Sequence, residues 1–203
     1  MSTYFRNCHK FILVVQDWGG PTALHLAVNQ PDCILGIVIS STWAWKANSE
    51  SEKFSNFFKI EEGQRLIYEE NYFVRTLLLK SMNKKWGNNK AIIVAYEMAF
   101  RTPESRKGTL VFPQQITLSE SWFQEIEEKL QLLADKPVEL ILGEKNRTLG
   151  NPESIAKWRS FYPNANVQLF PDADHFTQEE SPESFVFALR RILKENKENK
   201  NSI

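Results

Sequence analysis

The stretch FILVVQDWGGPTALHLAV, residues 11–28, constrains this chain more than any other. Its first six residues form a continuous apolar-rich run, too short for a helix and without the alternation of a half-exposed strand, so they predict a strand buried on both faces. Gly19, Gly20 and Pro21 punctuate the run, and Leu24, Leu26, Ala27 and Val28 then suit a packed helix over residues 22–29. Pro31 stops that helix, and ILGIVIS, residues 34–40, is a second strand of the same kind. Two such strands with a helix between them predict a βαβ crossover in a parallel sheet, and therefore an α/β protein.

From residue 43 to 116 the pattern changes to aromatic, amphipathic, mostly helical segments, ending in RTPESRKG and VFPQQI, which read as proline-bounded loops. The α/β rhythm then resumes with helix 120–133, strand 138–142, helix 153–161, strand 167–170, a loop carrying His175 and a last helix over 182–195. The expected organisation is a partial core over 1–42, a helical insertion over 43–116, the rest of the core over 117–195 and a flexible polar tail, 196–203.

Lys plus Arg number 25 and so do Asp plus Glu, which leaves no net field to attract nucleic acid or an anionic membrane. The first ten residues lack an apolar signal region, and no apolar run approaches the roughly 18–20 residues of a membrane span, so neither partner is expected. Cys8 and Cys33 are not in CxxC spacing and read as chemically idle residues of a cytoplasmic protein. His9, His25 and His175 form no i, i+4 pair, and neither a metal nor another cofactor is expected.

A tight strand-to-helix turn with a residue at its apex is the physical logic of a nucleophile elbow. Asp17 stands at that apex, and a carboxylate attacks an electrophilic carbon without first losing a proton. The competing reading is that Asp17 only caps the following helix.

VVQDWGGP resembles the nucleophile elbow of haloalkane dehalogenases, members of the α/β-hydrolase fold. ISSTWAW, FRTPESRKGTLVFPQQI, LILGEKNRTLG and DADHFTQEESPE resemble the same family in order and spacing, so the likeness covers residues 11 to about 194. It implies that Asp17 displaces halide to form an alkyl ester and that His175 activates water to hydrolyse it. It also implies that the Trp18 indole binds the leaving halide, that 43–116 is a cap domain, and that the partners are a small apolar halogenated substrate and water.

Two departures stand out. At the position where the resemblance expects an acid behind His175 the chain has Asn146, and at the alternative position after the second strand it has Ser41. An amide accepts a hydrogen bond but brings no charge and can hold the wrong imidazole tautomer, so ester formation should survive better than ester hydrolysis. Asp172, Asp174 and Glu144 are the acids near enough in sequence to substitute. The second departure is that only ten residues precede Phe11 where the family has further strands and a His-Gly-x-Pro loop. The expectation is the C-terminal part of an α/β-hydrolase fold with its early strands missing, an exposed sheet edge at which the chain could associate, and weak or no turnover.

Alternatives remain at this point. An epoxide hydrolase would use the same elbow with two tyrosines from among Tyr68, Tyr72 and Tyr96. A non-catalytic remnant would keep the apolar cap alone. Phe57, Phe58, Phe73 and Trp86 are aromatics of the insertion that read as packing rather than pocket lining.

Overall fold

The computed structural model describes residues 9–82 and 87–201; Cys8 and Trp86 lie outside them. Four strands, β1 (Phe11–Gln16), β2 (Ile34–Ser40), β3 (Val138–Gly143) and β4 (Asn166–Phe170), form one sheet in the order β1-β2-β3-β4. Every neighbouring pair is parallel. Strands β1 and β2 lie where the apolar runs predict them; β2 is covered on both faces, as a run without alternation requires, whereas β1 is only part-buried, contrary to expectation, because it lies at the sheet edge.

One face of the sheet carries α1 (Gly19–Asn29), α6 (Glu120–Lys129) and α7 (Pro152–Phe161). Leu24, Ala27, Ile126, Leu130 and Trp158 are buried there against Ile37, Ile39, Leu140 and Leu142. On the other face α8 (Pro182–Asn201) buries Phe185, Ala188 and Ile192 against Val38 and Ile141. This three-layer arrangement is an α/β-hydrolase architecture, with β1 as an edge strand among the described residues and Val14 48% exposed on it.

Between β2 and β3 the chain forms α2 (Ser49–Phe57), α3 (Glu61–Glu70), a π-helical stretch Phe73–Leu78, α4 (Lys90–Glu97) and α5 (Lys107–Leu118). Phe58, Ile67 and Leu110 make a separate small core within this insertion, and Phe57, Tyr68, Tyr72 and Phe73 pack around it. Arg106, buried, donates to the carbonyls of Phe100, Arg101 and Tyr68 and ties three segments together.

Three expectations are corrected. VFPQQI is helical: Pro113 lies inside α5, where the turn it weakens is held laterally by Gln114 Nε2 donating to Phe58 O at 2.7 Å and by Ser55 Oγ donating to Gln114 O at 3.2 Å. The polar tail is helical to Asn201, because Asn196 Nδ2 anchors it to Leu35 O at 2.9 Å. Cys33 is disulfide-bonded, so the cysteines do not speak for a reducing compartment. No helix among the described residues is long and apolar enough to cross a membrane.

Candidate active site

In a parallel sheet the residues following the strands gather at one edge, and this chain places its chemistry there. Asp17 follows β1, Ser41 follows β2, Asn146 lies in the loop after β3 and His175 in the loop after β4. Asp17 has a left-handed backbone, φ 47°, as does Ser41 at φ 42°. Such a conformation costs on the order of 1 kcal/mol in a non-glycine residue and persists only where its surroundings hold it.

Those surroundings are specific. Asp17 N–H donates to Ser41 O at 3.1 Å, Thr42 Oγ1 donates to Asp17 O at 2.6 Å, and Gly20 N–H donates to the same oxygen at 2.9 Å. A Cβ on Gly20 would sit 1.8 Å from Thr42 Oγ1, so this glycine is a steric requirement. Gly19 meets nothing within 4 Å. Both glycines belong to the first turn of α1 rather than to a loop ahead of it, so the turn consists of Asp17 and Trp18. The capping reading of Asp17 does not fit, since its Oδ1 accepts from the adjacent Trp18 N–H at 2.6 Å and its Oδ2 faces His175.

His175 Nε2 lies 2.7 Å from Asp17 Oδ2. The Asp17 side chain is 39% exposed and that of His175 15%, so the carboxylate is reachable from outside while the ring is held. On the ring's far side, Asn146 Nδ2 is 3.3 Å from Nδ1. Asn146 is buried, and its Oδ1 accepts from Leu149 N–H at 3.1 Å, which fixes the amide with its NH2 toward His175. The backbone around it is equally tight, since a Cβ on Gly143 would come within 2.4 Å of the Ala173 and Asp174 carbonyls.

Facing that NH2, Nδ1 serves as a hydrogen-bond acceptor, an arrangement that favours the neutral ring's proton on Nε2, toward Asp17. Asn146 is the group on Nδ1 rather than any nearby acid: Asp172 pairs with Lys145 at 2.9 Å, Glu144 is exposed, and the Asp174 carboxyl is engaged by the His175 backbone. Burial raises the Asp174 carboxyl above the ordinary aspartate range, against the opposing pull of His175. Ser41, fully buried, has no partner for its Oγ among the described residues.

The Trp18 indole packs among aromatic rings: Trp43 and Phe112 at 5.3 Å between centroids and Phe123 at 5.7 Å. Phe112 comes from α5 and Phe123 from α6, so the insertion and the core meet over the elbow. Tyr68 and Tyr72 pack in the insertion's own core, and Tyr96 donates its hydroxyl to Glu179 at 2.8 Å. Burial and that carboxylate push the Tyr96 phenol up to about 12. Tyr96 and the His175 N–H, which donates to Ser81 O at 3.1 Å, are two ties by which the insertion holds the His175 loop.

The α/β hydrolase fold model matches residues 7–182. The chain belongs to the α/β hydrolase fold family. Among its curated relatives, haloalkane dehalogenase 2 of Mycobacterium tuberculosis is 26% identical over 182 residues, covering 89% of this chain and 63% of the relative. A cis-3-alkyl-4-alkyloxetan-2-one decarboxylase of Xanthomonas campestris is 27% identical, covering 91% and 63%. The structure of haloalkane dehalogenase DatA from Agrobacterium tumefaciens aligns with TM-score 0.77 at 20% identity, covering 93% of this chain and 67% of that one. The chain thus spans about 63% of the length of these curated relatives, and its likeness to haloalkane dehalogenases holds across nearly all of what it does contain.

Sequence reasoning missed Gln16. Its Nε2 lies 2.8 Å from His175 Nε2 and donates to His175 O at 3.3 Å. The signal in the sequence was a polar residue closing an apolar strand directly before Asp17.

Proposed function

We propose that this haloalkane dehalogenase-like chain uses Asp17 to displace halide from a small apolar alkyl halide. A carboxylate oxygen bonds to the carbon as the carbon–halogen bond breaks, giving an alkyl ester on Asp17 and a free halide ion. The 2.7 Å approach of His175 to the carboxylate of a strained elbow residue is the observation that carries the reading. The Trp18 indole N–H is the donor proposed for the leaving halide, and the Trp18 backbone N–H already lies on the carboxylate oxygen that would bear charge during ester hydrolysis.

In the second stage water adds to the ester carbonyl carbon and gives a proton to Nε2. The alcohol then leaves with a proton, Asp17 returns as a carboxylate, and one proton is released overall. Nε2 must present a lone pair for this, and Asn146 favours the other tautomer and brings no charge to stabilise the imidazolium that forms. The comparable acid-to-amide change in a serine protease lowers turnover about 10⁴-fold. Ester formation therefore outruns hydrolysis, and turnover is weak. Tyr68 and Tyr72 pack in the insertion's own core and the Tyr96 hydroxyl is engaged by Glu179, which favours the alkyl halide over an epoxide.

Intact-mass measurement after exposure to a short primary alkyl bromide tests this. The expected result is one equivalent of bromide and a protein heavier by the alkyl group, both lost in Asp17→Asn. No adduct and no bromide from the unaltered chain would leave the non-catalytic reading standing.

A further inference from the structure

His175 is contacted by two amide groups, one at each ring nitrogen, and a neutral imidazole offers only one lone pair. Asn146 points its NH2 at Nδ1 because its oxygen is taken by Leu149 N–H. Gln16 points its NH2 at Nε2, an orientation favoured because the same nitrogen also donates to the carbonyl oxygen of His175 at 3.3 Å, which an amide oxygen could not. The two amides therefore demand opposite tautomers. Asn146 favours the proton on Nε2, and Gln16 favours it on Nδ1 with the lone pair on Nε2.

In the free protein the Asp17 carboxylate, 2.7 Å from Nε2, sides with Asn146 and draws the ring proton toward itself. Esterification removes that negative charge. What is left is a contest between the Gln16 contact at 2.8 Å and the Asn146 contact at 3.3 Å. We infer that Gln16 is a positioning residue for the second half-reaction, turning His175 into its base-competent tautomer once Asp17 is alkylated. The inference rests on the alkyl-ester reading for its place in the reaction, whereas the tautomer preference stands on the geometry alone. Gln16 touches no reacting carbon; it acts through the ring, and its grip on the His175 carbonyl keeps that ring over the elbow.

Two measurements separate these layers. In Asp17→Gly, which the left-handed φ of 47° tolerates and which removes the carboxylate, nitrogen-15 NMR reads the neutral His175 ring directly. The expected spectrum has an unprotonated Nε2 and a protonated Nδ1, exchanging places when Gln16→Met is added. Gln16→Glu, which offers an acceptor in nearly the same shape, should give the Met result and serves if the Met variant folds poorly. The same tautomer with and without the Gln16 amide overturns the inference.

The second measurement follows the mass of the alkyl adduct after excess alkyl bromide is removed. Gln16→Met should lengthen adduct lifetime at least about tenfold, while adduct formation changes less than about twofold. A lifetime unchanged or shortened overturns the inference. If no adduct forms with Gln16 intact, the nucleophile reading fails, and the NMR comparison still decides whether Gln16 sets the tautomer.

Discussion

The loops on either side of the His175 ring are built to similar tolerances and differ in charge. The elbow has a left-handed Asp17, a glycine with no room for a Cβ, and backbone bonds that hold the carboxylate at Nε2. The loop after β3 has a glycine equally short of room, a buried Asn146, and a bond that aims its amide at Nδ1. Steric scaffolding thus persists on both sides, yet only the elbow directs an ionisable side chain at the His175 ring. A position can retain its fold without its chemistry, because packing responds to shape whereas proton transfer responds to which atom bears the hydrogen.

Substitutions can break this asymmetry or sharpen it. Asp17→Asn should lower bromide release by more than about 10³-fold, leaving the fold intact, since an amide is no nucleophile toward an alkyl carbon. Asn146→Asp should move the comparison the other way. Leu149 N–H still has an oxygen to bind, the other oxygen accepts from Nδ1–H, and adduct breakdown should accelerate by about 10²-fold. An adduct that lives as long in Asn146→Asp as in the unaltered chain would show that the loop's charge is not what limits turnover. Gly20→Ala tests the steric half: denaturant unfolding should show a loss of about 1–3 kcal/mol as Thr42 is displaced.

Smaller effects test the supports of the His175 loop. Asp174 has a carboxyl raised by burial, so the folded state holds its proton more tightly than the unfolded state does, and stability falls as pH rises through and just above the carboxylate range. Asp174→Asn should remove that fall, making the variant relatively more stable at pH 7 than at pH 3 in paired denaturation curves. Tyr96 behaves similarly at the alkaline end. Its phenol is raised from 10 to about 12, so its contribution is complete below 10 and lost as pH climbs toward 12. Tyr96→Phe should flatten that part of the stability profile only slightly, because the side chain is partly open to solvent screening.

How far the sequence discloses all this depends on how local the determining physics is. Strands Phe11–Gln16 and Ile34–Ser40 are legible as uninterrupted apolar runs, although only the second is buried on both faces and the first, an edge, is part-buried. Pro113 misleads because its usual effect on a helix is overridden by bonds from residues 55 and 58, distant in the chain. The tail misleads for the same reason, since its polar composition is silent about Asn196 reaching Leu35. Asp17, His175 and Asn146 are legible through motif spacing and do converge. Gln16 is not, because an amide acquires meaning only from what it faces, and it faces a residue from the opposite end of the chain.

The pairing of β2 with β3 has a further consequence, for how the molecule assembles. Residues 11–40 form one βαβ unit and residues 138–170 another, each with its strands close in sequence. The two units join through Ile37–Ile39 against Val138–Leu140, a short register that closes only after residues 41–137 have been looped out. Loop closure of that length costs entropy before the contacts repay it, so this seam should form late and open first during unfolding. Asp17 belongs to the first unit and His175 lies in the loop that follows the second, so the Asp17–His175 contact itself spans the last joint to close.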